Sequence, residues 1–506
     1  VFSLEEAGDY DEASRVAQHV TAATEALGYP PLTAKALLRR ASLRDKAGEY
    51  EDSVRDLEDA LALAGGHGDY AVATMAMAQL TRLVGDQQGH DKQGLVWGKA
   101  ALSAARAPGM EPLTEAVVLN NLGIIRNAQG QYDESLARYR AALAIREDVL
   151  NRDHPSIAGV LSNIGIVLMT QGKHEESLEH HRRALAIQEE ALGSDHPDVG
   201  MSLNSIGTVY QSQGKYDEAL TELRGALAVF EGALGKTHPN VARPLHNIAQ
   251  VLMRQGKHSE ARAHFERALA IMVEAQGPSH PDVATTINSI GMVLGSEGKY
   301  AEALEYFERA LAIQEDVLGS DHPTLAYTLS NIGTVFANDG KLARALQHHR
   351  RALDIHERAL GATHSQVGQL RFSIGKVLQQ RREFSGAAIE FERSLAILQQ
   401  GLGAKHPTAV YPMVGLAHIA LEQGQFEVAR AHAELAVSIR ASVGSSPTEL
   451  ADTRLLLARA LWPDPEQRPR ALALAHEARA GYIEDVDGHD EGLPAIETWL
   501  ANHSTP

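Results

Sequence analysis

The chain has 506 residues and no cysteine, with 47 Lys and Arg against 65 Asp and Glu for a net charge of −18. The missing cysteines exclude disulfides, thiolate metal sites and a cysteine nucleophile, and the acidic balance argues against a long nucleic-acid surface, which needs clustered Lys and Arg. Apolar residues are 44% and charged residues 22%, which argues against wholesale disorder, and no run of about 18 apolar residues offers a membrane span.

In chain order, Val1 to Gly8 reads as the end of a helix, so a fragment is expected whose upstream part, with any signal peptide or anchor, is missing. Gly8-Asp9-Tyr10 and Gly48-Glu49-Tyr50 are turn signals, with Gly28-Tyr29-Pro30-Pro31 between them. A less regular unit follows from Asp69 to about Ala107. Then three columns recur every 42 residues. One is small: Gly123, Gly165, Gly207, Ala249, Gly291, Gly333, Gly375 and Ala417. A second is histidine, followed by Pro except at Ser365: His154, His196, His238, His280, His322, His364 and His406. A third is a turn glycine, from Gly130 through Gly340 and again at Gly424, broken at Arg382.

Each unit reads as two helices. After Pro197, apolar or small residues fall at Val199, Leu203, Ile206, Gly207 and Tyr210, a helical face. Gly214 stops that helix, since glycine accepts the left-handed conformation of a helix end. Tyr216, Ala219, Leu220, Leu223, Ala226, Leu227, Phe230 and Leu234 form the second helix, closed by Gly235. His238-Pro239 opens the next unit, with proline where a missing N–H is harmless. Downstream, Thr448 to Trp462 and Pro469 to Tyr482 read as one more pair. After Gly488, Pro494 to Leu500 reads as a helix capping the last apolar face.

This pattern resembles the tetratricopeptide repeat (TPR), through Gly207, Tyr210, Ala219, Leu223 and Ala226. The 42-residue length and the Leu-Gly-x-x-His-Pro linker resemble the kinesin-light-chain type, from about Leu113 to Gly444. The resemblance implies an all-α, right-handed TPR superhelix, an α-solenoid of about twelve helix-turn-helix repeats. Its expected stretches are irregular repeats over 1–110, the regular array over 111–444, and a divergent last repeat with a capping helix over 445–506. More weakly, the irregular start, the array and the ending Leu456 to Trp462, Arg470 to Ala475 and Thr498-Trp499-Leu500 resemble the C-terminal half of large bacterial serine/threonine protein kinases. No Gly-x-Gly-x-x-Gly loop, His-Arg-Asp or Asp-Phe-Gly is present, so that resemblance bears on a parent polypeptide.

No candidate for chemistry survives its local context. Zinc ligands must converge on one ion, and histidines a whole repeat apart cannot, so their column is read as linker and helix-start geometry. His174 to His181 lacks the i, i+4 histidines of a zinc-protease helix. With His348-His349, it is read as a solvated helix face. No phosphate loop and no Gly-x-Ser-x-Gly elbow occur. The expectation is no catalytic residue, no metal and no cofactor.

Binding is the remaining class. The two residues before the small column read Asn120-Asn121, Ser162-Asn163, Asn204-Ser205, His246-Asn247, Asn288-Ser289 and Ser330-Asn331. They then lapse to Phe372-Ser373 and Val414-Gly415. In the resembled family this part of the first helix lines the concave groove, so Asn120, Asn121, Asn163, Asn204, Asn247, Asn288 and Asn331 are candidates to hold a peptide backbone, an amide both donating and accepting. The competing reading has them bond neighbouring helices or linkers and set repeat spacing. Arg243, His246, Asn247, Gln250 and Arg254 share one helix face and suggest an anion or acidic-peptide spot, against a solvated face with internal ion pairs. Pro244, and Pro412 at the same offset, predict a kink or a delayed helix start. The function expected is a non-catalytic scaffold for a protein or extended peptide with acidic residues, without nucleic acid and without membrane insertion. The alternative is the regulatory or sensory half of a bacterial kinase. A cytoplasmic site is expected, or an extracytoplasmic sensor position under that alternative.

Overall fold

A computed structural model of the chain describes residues 10–46, 49–87, 91–443, 446–484 and 492–503. The helix end at Val1 to Gly8, the turns at Gly8-Asp9 and Gly48, the array end at Gly444 and the stop at Gly488 lie outside the described residues. Among those described there is no strand, and the elements are helices throughout. Their contacts divide the chain into two units: Val1–Val209, Asp217–Leu252 and His258–Leu325 form the first, and Tyr210–Tyr216, Met253–Lys257 and Ala326–Pro506 the second.

In chain order the helices are α1 (Tyr10–Ala26), α2 (Pro30–Lys46), α3 (Tyr50–Gly66), α4 (Tyr70–Arg82), α5 (Asp91–Ala105), α6 (Pro112–Ala128), α7 (Tyr132–Val149), α8 (Pro155–Thr170), α9 (His174–Leu192), α10 (Pro197–Ser212), α11 (Tyr216–Leu234), α12 (Pro239–Arg254), α13 (His258–Gln276), α14 (Pro281–Ser296) and α15 (Tyr300–Leu318). There follow α16 (Thr324–Asn338), α17 (Leu342–Leu360), α18 (Ser365–Gln380), α19 (Phe384–Leu402), α20 (Val410–Glu422), α21 (Phe426–Val443), α22 (Pro447–Leu461), α23 (Arg468–Glu484) and α24 (Gly492–His503). Even-numbered helices from α2 to α22 are the first helices of eleven pairs. Helix α1 stands where a second helix belongs, and α24 closes the chain.

One pairing rule builds the seven repeats from Gly123 to Gly375; at Ala417 the facing residue is the small Ala433. The small residue of the first helix faces a large residue sixteen positions later on the second. A Cβ added to Gly123, Gly165, Gly207 or Gly291 would lie 2.5 to 2.8 Å from Tyr139, His181, Leu223 or Phe307. In the second unit Gly333 meets His349 and Gly375 meets Phe391 in the same way. The small column thus admits a ring against the backbone and seats the core, in which Phe307 and Phe391 are at most 1% exposed. The same register reaches the irregular start. The Ser53 hydroxyl donates to the Ala41 carbonyl at 2.7 Å, as Ser135 and Ser177 do to Gly123 and Gly165 at 2.8 and 2.7 Å. Irregularity enters at α4, which runs into a π turn over Leu83–Gln87. There a Cβ on Gly94 would be 2.5 Å from the Gly85 Cα, so two backbones touch.

The turn glycines Gly130, Gly172, Gly214, Gly256, Gly298, Gly340 and Gly424 have φ of 70° to 76°; Arg382 holds the same conformation at 61° without being glycine. Helix α12 continues unbroken through a buried Pro244, so the expected late start is absent there. At Pro412 it occurs: a 3-10 turn over Pro407–Ala409 precedes α20. At the C-terminus α24 buries Ile496, Trp499 and Leu500 against Leu456, Leu457 and Ala475; the His503 ring stacks on Trp499, and Trp462 meets both rings edge-on. A solenoid needs such a cover for its last apolar face.

Candidate interaction surface on the first helices

The histidine column is structural, as the repeat spacing requires. In all seven linkers the His Nδ1 accepts the backbone N–H two residues on: Ser156, Asp198, Asn240, Asp282, Thr324, Gln366 and Thr408, at 3.1 to 3.3 Å. This is N-capping by a neutral imidazole, which satisfies one of the unpaired amides of a helix start. Burial lowers the pKa of His238 and His280, the latter opposed by Asp282. Among the described residues no group of three His, Asp or Glu side chains is placed to hold a metal ion.

The other histidine reading needs correcting. His180 is half-buried, its Nδ1 2.8 Å from the Glu176 carbonyl, but His181 and His349 are each 1% exposed rather than solvated. They occupy the large-residue position filled elsewhere by Phe265, Phe307 and Phe391. The repeat register, rather than the doublet itself, carried that information.

First helices of successive repeats lie side by side, α4 on α6 and α6 on α8 in the first unit, α18 on α20 and α20 on α22 in the second. The asparagines fall between them. Asn163 Nδ2 donates to Asn120 Oδ1, and Asn247 Nδ2 to Asn204 Oδ1, both at 2.9 Å. Asn121 Nδ2 donates to the Ala78 carbonyl at 2.8 Å. The asparagines alternate between two columns, so each bonded pair is 43 residues apart, one repeat plus one. Such clasps brace neighbouring helices, because a half-buried amide needs a partner. Among the described residues Asn163 and Asn247 keep Oδ1 without one. Asn288 is buried, its Nδ2 4.0 Å from the Met292 sulfur, and Asn331 is half-buried.

On α12 the five candidate residues divide. Arg243 and Arg254 are exposed and, among the described residues, neither has an ion-pair partner, so the internal ion pairs of the competing reading are absent. His246 points at its own repeat: Nε2 is 3.0 Å from Gln250 Nε2, its ring packs edge-on to Phe265 at 4.9 Å, and burial pushes its pKa down to about 4. A neutral imidazole accepting from Gln250 fits that geometry.

Sequence reasoning missed a further column. Arg243 is five residues after its linker histidine, and so are Met201, Tyr327 and Tyr411, which are 45%, 47% and 44% exposed. Large apolar side chains left half in water on the first-helix layer are unusual for a core-forming repeat. The constant offset from histidine was the available signal.

These helix pairs define an all-α protein of the α-solenoid class. A family model described as tetratricopeptide repeat matches at 114–168, 156–231, 198–272, 240–316, 282–355 and 324–400, advancing 42 residues each time. Together the matches span more than half of the chain, which belongs to the tetratricopeptide repeat family. Among solved structures, a Rap protein complexed with Competence and Sporulation Factor is similar over 73% of this chain and 98% of its own, at 16% identity and a TM-score of 0.52. A kinesin light chain from Podosopora anserina with nearly identical TPR-like repeats covers 40% of this chain and 97% of its own, at 24% identity and a TM-score of 0.34. BtubC from P. vanneervenii covers 46% and 90%, at 21% identity and a TM-score of 0.36. A search of curated proteins finds no match. No helix among the described residues is long and apolar enough to cross a membrane.

Proposed function

We propose that the chain is a non-catalytic scaffold that captures a protein or extended peptide on its first-helix layer. The observation carrying this is the column of Met201, Arg243, Tyr327 and Tyr411, whose side chains remain exposed and differ from repeat to repeat while the core and caps stay constant. Exposed aromatics and arginine are the side chains that anchor interfaces. The Rap structure, which shares the fold, is complexed with Competence and Sporulation Factor, and that supports a binding use here. Arg243, a cation with no ion-pair partner among the described residues of a chain of net charge −18, favours an acidic residue in the partner. The asparagines would serve second: Asn163 and Asn247 can still offer Oδ1 to a backbone N–H while clasping their neighbours.

The test is selection of a random peptide library on the full chain, then titration of enriched peptides against Arg243→Ala and Tyr327→Ala. At least about a fivefold loss of affinity at unchanged melting temperature is expected for each residue a peptide contacts. Absence of any enriched peptide, or indifference of all of them to both variants, would overturn the reading. The kinase-linked alternative rests on the ending Leu456 to Trp462 and Thr498 to Leu500. Reading the coding sequence upstream of Val1 tests it.

A further inference from the structure

We propose that the first unit binds a small organic cation, a guanidinium or ammonium group on an apolar stem, in the groove between α1 and α3. The site involves neither the exposed column of the first helices nor a peptide, so it stands apart from the scaffold reading. The groove has a volume of about 450 Å³ and is lined by α1, α3 and the helix α2 that joins them. That volume lies within the ~300–1,000 Å³ of small-ligand sites.

Its origin is an ion pair that the regular repeats make and this one lacks. Glu147, sixteenth in α7, accepts from Arg183, tenth in α9, at 2.6 Å. Glu231, sixteenth in α11, accepts in the same way from Arg267, tenth in α13, at 2.5 Å. Each pair ties the second helices of neighbouring repeats. The same positions of α1 and α3 hold Glu25 and Asp59. The carboxylate of the pair is kept, and its guanidinium is replaced by a second carboxylate on a much shorter side chain. Both residues line the groove, and neither forms a salt bridge among the described residues. What the exchange takes away is one cation and the aliphatic stem that carried it, and a ligand of that chemistry restores both.

The arginines at hand are already engaged. Buried Asp56 accepts from Arg40 at 2.8 Å through Nε and 2.6 Å through Nη2, and it pairs with Arg44 at 2.8 Å. The bond to Asp56 holds the Arg40 pKa above its ordinary value against the opposing effect of burial, with Glu25 and Asp59 adding attraction at longer range. Three carboxylates against these two arginines leave the groove a surplus negative charge. Two carboxylates across one groove disfavour each other's charged form, and a cation between them relieves this. The rest of the lining chooses which cation. Tyr29 is exposed and offers its ring face to a cation. Buried Leu37 and half-buried Leu63 give apolar surface to a stem. A hydrated inorganic ion gains nothing from these three, whereas an alkyl cation uses all of them.

The test is ligand-observed NMR of n-butylguanidinium and n-butylammonium with the full chain, at low and high salt. Because Glu25 and Asp59 are exposed, a dissociation constant on the order of 1 mM is expected, weakening as salt rises. Glu25→Gln and Asp59→Asn should each weaken binding about fivefold, the effect of losing one exposed charge partner. Asp59→Arg supplies the missing guanidinium from the chain itself. It should abolish binding of both probes and raise the melting temperature, as the pair with Glu25 forms. All three positions of substitution are at exposed side chains, so the variants keep the fold. Absence of binding, binding indifferent to Glu25→Gln and Asp59→Asn, or full binding by Asp59→Arg would each overturn the site. Displacement of the probes by an equal concentration of magnesium would overturn the choice of an organic cation.

Discussion

Replacing His181 and His349 by phenylalanine should free the protein of a large part of its sensitivity to mild acid. Both imidazoles are 1% exposed, and Nδ1 of each is buried without a partner among the described residues. Burial, with the neighbouring His180 or His348 adding repulsion, pushes the pKa of each down from 6.5 to about 4. The unfolded chain therefore binds more protons than the folded one between those values. Stability is full above about pH 6.5, falls as pH drops through that window, and levels off below about 4. At pH 5 the loss is about 2 kcal/mol per histidine, hence about 4 for two distant and additive sites. Phenylalanine fits: it stands opposite glycine at the same register in Gly291/Phe307 and Gly375/Phe391. It also removes an orphaned nitrogen, worth about 1–3 kcal/mol at any pH. The assay is urea unfolding of wild type and double variant at pH 7 and pH 5, followed by far-UV circular dichroism. The gap between their midpoints should widen at the lower pH. A gap that stays constant would refute the buried-neutral assignment, since the other histidines are common to both proteins.

Asn163→Ala and Asn247→Ala should each lower stability by about 1–2 kcal/mol, because each orphans a clasped partner amide; unchanged melting would remove bracing as their role. His238→Ala deletes the acceptor for Asn240 N–H at 3.1 Å and should cost about 1 kcal/mol, read by the same unfolding curves. Arg382→Gly should stabilise by about 0.5–1 kcal/mol, the left-handed penalty outweighing glycine's greater unfolded freedom. Arg243→Glu should weaken acidic peptides more than Arg243→Ala does, with a difference that shrinks as salt rises.

Periodicity made the helices legible because each core contact is set by one repeat's own residues: Gly207 needs only Leu223, and Gly130 needs only a turn. The histidine caps were legible as linkers for the same reason. What escaped depends on the next repeat. Asn163 is the same residue whether it faces a peptide or Asn120, and only the spatial neighbour decides. Arg243 looked equally able to pair internally, since a sequence of net charge −18 offers carboxylates everywhere. That none among the described residues pairs with it follows from which faces the helices present. His181 was misplaced because two adjacent histidines read as surface, although the column through Phe265 and Phe307 already marked one of them as core.

The clasps also explain where recognition can reside. An amide half-buried between two helices must be satisfied whether or not a ligand is present, so the helix beside it is the partner of first resort. Asparagine at these positions therefore serves the array before it serves any guest. Selectivity is left to the half-exposed column of Met201, Arg243, Tyr327 and Tyr411, in which both tyrosines keep a face in water although their hydroxyls bond Gln366 and Glu449 on the next first helix. Substituting that column leaves the caps, turns and small-against-large pairing in place, because all of these lie elsewhere on each repeat. The same division lets one invariant frame carry a methionine, an arginine and two tyrosines at a single register position.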